Sequence, residues 1–567
     1  MSHKNRKQAV FIAPSLDKSA YDLKKTTGNA VSVRLFYVCV QVVINAVIIG
    51  FIAKGLVALI NLITNFSFYG KFSFAEASPA HNQLGLWVIV IPIIGAVIIG
   101  IMARLGSAAI RGHGIPEAME QVLTNESKIK PVITILKPLS AAISIGTGGP
   151  FGAEGPIIST GGAFGSFAGQ IMKISPNERK IMLTAGATSG MAAIFGTPVA
   201  AVLLAIELLL FEFSPKTIIP VALACATGTA MHIAMFGSGP VFPMPELAAP
   251  TPAALAWYIG IGAVIGVLAA LVSKSIYLIE DMFEKLPVHW MWWPAIGAIA
   301  IGVVGYFAPY TLGVGYNNIT DLLSGNLPLQ MVLGLCFMKF LSWSISLGSG
   351  TSGGTLAPLL TIGGATGVLI GMLVMQLAPN SQINLPTCAL IGMAAMFAGA
   401  ARALLTAVIF AFEVTMQPHG LLPLLGACTA SFFVSFFMMK GTIMTEKIQR
   451  RGVATPDAYE PDILQRLKAG EVMAAARQEE EEAKDTAIYV YPDTPLHVAV
   501  ALMSEYKLES LPVLNAADNT QIGIITPALV FDAYTNFRQT GEQHQQVISV
   551  KRRRNKLLVR GRHLFNR

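Results

Sequence analysis

Between residues 31 and about 450, long apolar stretches alternate with short polar breaks. Residues 31–66, 84–102, 218–236, 253–278, 359–377, 387–414 and 421–439 carry few charges, and several exceed the ~20 residues a helix needs to cross a hydrocarbon core. Residues 293–307 and 331–347 are shorter, and many runs are cut by glycine or proline. Such breaks are tolerated at membrane depth only where the freed backbone packs in protein or lines an aqueous cavity. The pattern predicts an all-α polytopic membrane body over 31–450. Beyond it, 451–485 reads as a polar connector, with Glu479–Glu482 a solvated helical face and LKAGEVMAAA (467–476) either the lead-in of the module that follows or a remnant of another. Residues 486–535 change character. IYVYP alternates as a strand does. Residues 495–506 have helical spacing, with Asp493 or Thr494 as the N-cap. LPVL and QIGIIT read as two short strands about a turn, and a helix begins near Pro527.

The apolar body contains a duplication. SIGTGGPFGAEGPIISTGGAFG (144–165) and SLGSGTSGGTLAPLLTIGGATG (346–367) align without a gap, the residue at n recurring at n + 202. Downstream, GMAAIF (190–195) matches GMAAMF (392–397). The second copy then runs four residues longer, so that Glu207 pairs with Glu413. Duplicated, glycine-broken membrane segments point to a transport site at the interface of two repeats.

Composition supports this. Of 567 residues, 53% are hydrophobic and only 13% charged, against about 25% in soluble domains. The net charge of +8 gathers in a basic N-terminal segment (1–30) and a basic tail (536–567). By the positive-inside rule this places both termini in the cytoplasm of a multi-pass protein of the cell membrane. The charge therefore reads as topology rather than nucleic-acid binding. The first 30 residues lack the apolar core of a cleaved signal. Five scattered cysteines show neither metal nor disulfide spacing. No nucleophile–base arrangement and no phosphate-binding lysine loop is present. An enzyme is excluded on these grounds, and a pure sensor would need no duplicated pathway.

Three short segments carry candidate chemistry: GHGIP (112–116), GAEGP (152–156) and GTLAP (354–358). Each places glycine before a proline suited to a helix's first turn. Helix N-termini present unpaired N–H groups and partial positive charge, so several of them converging would bind an anion without a buried cation. Glu154 is the exception, because a carboxylate in an apolar segment is costly and a functional hypothesis by default.

In this order and spacing, the three segments resemble the CLC family of chloride channels and chloride/proton exchangers, whose patterns are GSGIP-E, GKEGP or GREGP, and GxFxP. The resemblance covers residues 31–450. It implies a homodimer with one anion pathway per subunit, each subunit built of two inverted halves of tilted, broken helices. It implies Glu154 as gate, flanked by Gly152, Ala153 and Gly155. It implies an anion cradle at Gly354, Thr355, Leu356 and Ala357, approached by Gly112, His113, Gly114 and Ile115. Three positions depart from the family. His113 replaces a serine that donates to chloride, leaving either the imidazole or the Gly114 and Ile115 amides as donors. Met444 replaces an inner tyrosine. Leu208 occupies the place of the internal proton-relaying glutamate, and its neighbour Glu207 points about 100° away on a helix, which makes Glu207 and Glu413 structural carboxylates; Glu117 is expected in a cap or ion pair. With one gating carboxylate and no evident inner acceptor, the reading leans to passive chloride conduction. The alternative is chloride/proton antiport, with water or Glu207 relaying protons; fluoride export is third. Residues 486–535 resemble a single CBS module. Such modules usually pair to bind adenine nucleotides, but the ribose-contacting Thr-x-x-Asp reads Thr526 and Leu529. A dimer-stabilising cap without cofactor is expected, with nucleotide binding the alternative.

Overall fold

A computed structural model describes residues 28–453, 455, 464, 467–475, 488–515 and 520–535. The leader before residue 28, the Glu479–Glu482 run and the basic tail lie outside these. The chain forms two compact units, one of them the membrane body, Asn29–Asp457.

Among the described residues, eight helices are long and apolar enough to cross a membrane. Their outward faces carry large apolar side chains, such as Phe51, Trp87, Leu105, Phe307 and Phe437, as lipid contact requires. The helices fall into two parallel series. The first runs α1 (Gly28–Tyr69), α2 (Val90–Leu105), α3 (Ile115–Leu123), α4 (Ile133–Gly146), α5 (Glu154–Ile171), α6 (Pro176–Phe195), α7 (Pro198–Leu204) and α8 (Pro215–Phe236). The second runs α9 (Pro252–Glu284), α10 (Trp293–Phe307), α11 (Tyr316–Ser324), α12 (Leu329–Leu333) with α13 (Lys339–Gly348), α14 (Leu356–Leu377), α15 (Leu385–Ala401), α16 (Leu404–Thr415) and α17 (Leu421–Met438). A short α18 (Glu446–Arg450) follows.

Local chemistry sets the boundaries. Ser175 caps α6, its hydroxyl accepting the Glu178 amide while Glu178 accepts the Ser175 amide. Asn384 caps α15 by accepting from Thr387 at 2.8 Å. The apolar run 387–414 is therefore two helices, separated where Arg402 takes a left-handed conformation (φ 55°).

The halves are related by a local two-fold. Gly152 and Gly354, equivalent in the duplication, exchange both backbone hydrogen bonds in an antiparallel bridge, at 3.3 and 3.0 Å. That exchange between equivalent residues requires a two-fold axis between them, so α5 and α14 meet N-terminus to N-terminus. The helix packing repeats as well. A Cβ on Gly161 would sit 2.2 Å from the Gly186 carbonyl of α6, and one on Gly363 would sit 2.5 Å from the Gly392 carbonyl of α15. The G-x-x-x-G spacing is thus a close helix contact in both repeats. Four of the five cysteines are buried and all are free.

The C-terminal unit holds a three-stranded antiparallel sheet, order β1-β3-β2, from β1 (Ala474–Ala475), β2 (Leu511–Leu514) and β3 (Gln521–Ile525). Helix Leu496–Tyr506 supplies Leu496, Ala499 and Leu502 to its core, against Val513 and Ile525. Three expectations change here. IYVYP makes a single bridge, Val490 to Val513, and no extended strand. Pro495 is the N-cap of the helix, while the Thr494 hydroxyl accepts the Tyr491 amide and closes the preceding turn. The connector is shorter than expected, because 467–475 is the module's lead-in: β1 pairs with β3 and Lys468 bridges to Pro495.

Candidate functional site

The three glycine segments meet at one point. Gly112 donates its amide to the Thr351 carbonyl and accepts from Gly353, while Gly152 and Gly354 exchange hydrogen bonds. No side chain fits between the strands. A Cβ on Gly155 would lie 1.9 Å from the His113 carbonyl and 3.0 Å from Gly354 Cα, and one on Gly114 would lie 2.2 Å from the Gly155 carbonyl. Gly112 and Gly114 also take φ of 99° and 95°, which glycine alone adopts cheaply.

These contacts sort the predicted donors. The amides of Gly112, Gly152 and Gly354 are spent in bridges, and the Gly114 amide donates to Glu117 Oε2 at 2.6 Å. The expectation that Gly114 offers a free donor is thus corrected. The first-turn amides of α5 and α14, including those of Glu154, Gly155, Leu356 and Ala357, have no intrahelical acceptor. Ala153 and Thr355 are the residues preceding those helices. Ile115 opens α3 and is buried.

Glu154 is fully buried at the first position of α5. Its Oε1 accepts from the Tyr316 hydroxyl at 3.0 Å, while Oε2 has no hydrogen-bond partner. His113 Nδ1 and Thr355 Oγ1 are also buried without partners. Native interiors rarely leave such groups unsatisfied. Here three of them belong to residues next to the Gly114–Gly155–Gly354 contact.

Two cavities flank the junction. One, of about 800 Å³, is lined by Arg111, Glu117, Lys128, Lys130, Ser159 and Arg451 among others. The other, of about 460 Å³, is lined by Ala153, Phe195, Tyr316, Asn318, His232 and Glu76 among others. Beside the first, Lys447 pairs with Glu117 Oε1 at 2.8 Å, so Glu117 makes both the cap and the ion pair expected of it. Met444, in the same segment as Lys447, is fully buried, and its amide donates to the Thr442 hydroxyl. Glu207 is a helix cap. Its oxygens accept the Leu405 and Thr406 amides at the start of α16, both at 2.9 Å, and the Thr406 hydroxyl. Leu208 is buried in the π-helical turn that continues α7.

Sequence reasoning missed Tyr316 and two lysines. Lys137 donates to the carbonyls of Ile110 and Gly112, at 2.8 and 2.9 Å. Its repeat mate Lys339 donates to those of Thr311 and Gly313, at 2.8 and 3.0 Å. Both side chains are fully buried. The signal was present in the sequence: GVGY (313–316) echoes GHGI (112–115) with the lysine 202 residues on. Among the described residues, no cluster of three His, Cys, Asp or Glu side chains forms a metal site.

A family model described as voltage gated chloride channel matches residues 94–436, and a CBS domain model matches 483–535. The chain belongs to the CLC family. Relatives include the chloride channel protein CLC-e of Arabidopsis thaliana, 28% identical over 66% of this chain and 56% of that protein. Another is the H(+)/Cl(-) exchange transporter ClcA of Vibrio parahaemolyticus, 28% identical over 60% of this chain and 74% of the relative. The chain spans about half the length of the plant relatives, 56% of CLC-e and 47% of CLC-f. Among solved structures, a slow cyanobacterial Cl-/H+ antiporter superposes with a TM-score of 0.65 at 23% identity, covering 72% of this CLC chain and 98% of that one. A eukaryotic CLC transporter gives 0.60 at 20% identity, covering 89% of each. This likeness establishes the CLC fold, inverted repeats included.

Proposed function

We propose that this protein moves chloride or a similar small anion across the cell membrane through the glycine junction, with Glu154 as the gate. The observation that carries the reading is the fully buried Glu154 carboxylate at the head of α5, one oxygen unpaired, between two cavities. There it occupies the field of first-turn amides that an anion would use. A protonated or displaced side chain vacates that field; an ionised one refills it. Binding through amides rather than a fixed cation leaves the anion free to depart. The cavity lined by Arg111, Lys128, Lys130 and Arg451 is the cytoplasmic mouth by the positive-inside rule. The other mouth has no Lys or Arg among its lining residues.

Exchange of chloride for protons is the favoured form, because relatives across most of the membrane body carry the exchanger name. In it Glu154 carries the proton while the anion passes, and protons reach it from the cytoplasm through water, Glu207 being occupied as a cap. A specific observation favours the second reading, passive conduction. Leu208 and Met444 are buried apolar side chains where relay and inner gating groups would stand. Liposomes with an imposed chloride gradient decide between them. Uphill proton movement in fixed ratio to chloride establishes exchange; chloride flux without it establishes conduction. Glu154→Gln should abolish proton movement in the first case and pH-dependent gating in the second. Comparing chloride, nitrate and fluoride fluxes tests the fluoride alternative. The functional unit is a homodimer with both termini cytoplasmic. The small module acts without nucleotide, since the Leu529 amide faces the Thr526 hydroxyl and Leu529 offers no carboxylate to a ribose.

A further inference from the structure

The second repeat reaches into the first through Tyr316. Tyr316 is the first residue of α11, and Gly315 before it takes a left-handed conformation (φ 74°) that turns the chain into the helix. Lys339 fixes the approach by holding the Thr311 and Gly313 carbonyls, and Asn318 donates to the Tyr310 carbonyl at 2.8 Å. The ring is packed edge-on against Phe195 (6.0 Å, 71°) and tilted against Phe242 (5.8 Å, 59°), with Phe195 in turn held edge-on by Phe410. An aromatic ring so confined has little rotational freedom. Its hydroxyl therefore reaches Glu154 Oε1 as a fixed donor, 3.0 Å away.

The position is asymmetric in a telling way. Lys137 holds the equivalent loop in the first repeat, where the residue matching Tyr316 is Ile115, which has no side-chain donor. Only one of the two clamped loops thus presents a hydroxyl, and that hydroxyl meets the carboxylate. Tyr316 also lines the 460 Å³ cavity, which fully buried Glu154 does not reach. The tyrosine stands between that cavity and the carboxylate.

We propose that Tyr316 is a positioning residue that latches the Glu154 carboxylate in the closed position, so that its hydroxyl sets how readily an anion displaces the gate. The proposal rests on the gating role assigned to Glu154. Opening toward the Tyr316-lined cavity requires the hydroxyl–carboxylate hydrogen bond to break. With the bond lost, the carboxylate competes less well for the amide field, and the anion enters at lower concentration.

The test is a double-mutant cycle on the full-length protein in liposomes, reading the half-saturating chloride concentration and maximal flux for the parent, Tyr316→Phe, Glu154→Ala and the double variant. Tyr316→Phe keeps the ring and its packing, and melting in detergent checks that it folds as the parent does. The half-saturating chloride is expected to fall about tenfold in Tyr316→Phe, the factor carried by a hydrogen bond to a charged group. It is expected to fall in Glu154→Ala, and to change less than about twofold when Tyr316→Phe is added to Glu154→Ala. A Tyr316→Phe value within twofold of the parent overturns the latch while the gate stands. An equal shift in both backgrounds also overturns it, since the hydroxyl would then act independently of Glu154. If Glu154→Ala itself leaves the chloride dependence unchanged, the gating role fails and the latch falls with it.

Discussion

The Glu207 carboxylate accepts the Leu405 and Thr406 amides at the start of α16, and the Glu413 carboxylate accepts the Val199 and Ala200 amides at the start of α7. Each repeat thus caps a helix of the other, with equivalent residues on both sides. The exchange is possible only if α7 and α16 lie antiparallel about the same kind of two-fold that relates Gly152 and Gly354. A carboxylate at a helix N-terminus satisfies orphan amides and meets the positive end of the dipole, which explains two glutamates in apolar segments without any proton traffic.

Loss of either cap should therefore be felt as stability. Glu207→Ala and Glu413→Ala are each expected to cost about 0.5–2 kcal/mol, the range of N-cap deletions, read as lowered melting temperature in detergent. Glu207→Gln keeps an acceptor and should leave the proton-to-chloride ratio in liposomes unchanged. Abolished proton movement with intact chloride flux would instead make Glu207 a relay.

The buried lysines are expected to be more costly to remove. Lys339→Met leaves the Thr311 and Gly313 carbonyls without their donor, and each buried orphan costs about 1–3 kcal/mol. A loss of at least about 2 kcal/mol is expected; Lys137→Met orphans only the Ile110 carbonyl, because that of Gly112 keeps the Gly353 amide, and should cost about 1–3 kcal/mol. Lys180→Met is the contrast: its 3.3 Å pair with Glu212 is partly exposed, and such pairs contribute about 0–1 kcal/mol. Melting curves of the three variants should separate accordingly.

Gly155→Ala tests the junction itself. The added methyl would meet the His113 carbonyl at 1.9 Å and Gly354 Cα at 3.0 Å, atoms fixed by backbone bridges. Overpacking of this kind costs about 1–3 kcal/mol, and here it forces apart two segments of the pathway, so chloride flux should be lost. Gly162→Ala, on the same helix, meets nothing nearer than 3.4 Å and should keep both flux and melting temperature near parental values.

The repeat, the helix-rich membrane body and the meeting of GHGIP, GAEGP and GTLAP were legible in the sequence, because glycine and proline mark where membrane helices break. Glu207 was legible as a structural carboxylate from its helical phase, and Glu117 as a capping or ion-pairing one. Pairings between distant segments were not. Glu207 gives no sign of reaching Leu405, and an apolar run with one arginine does not reveal that Arg402 ends a helix. Nor does a lysine in an apolar run declare which carbonyls it will hold. Tyr316 escaped because GVGY lacks the proline of the other three segments. In the C-terminal module, IYVYP has strand periodicity but takes only the Val490–Val513 bridge, since β2 is paired on its other edge with β3.

His113 offers the sharpest test of anion choice. Its imidazole is buried, Nδ1 has no partner, and its carbonyl packs on Gly155, so the residue stands at the junction whichever way the ring donates. With the Gly114 amide committed to Glu117, the imidazole is the side-chain donor this loop can offer an anion. His113→Ala removes it without adding volume and leaves the Glu117–Lys447 pair in place. Hydrogen bonds to charged groups contribute about 1.5–3 kcal/mol, so the chloride-to-nitrate flux ratio is expected to shift by roughly tenfold or more. His113→Ser should restore much of the parental ratio by returning a hydroxyl donor. Ratios within twofold of the parent in both variants would mean that the imidazole does not touch the anion, and that the first-turn amides of α5 and α14 hold it alone.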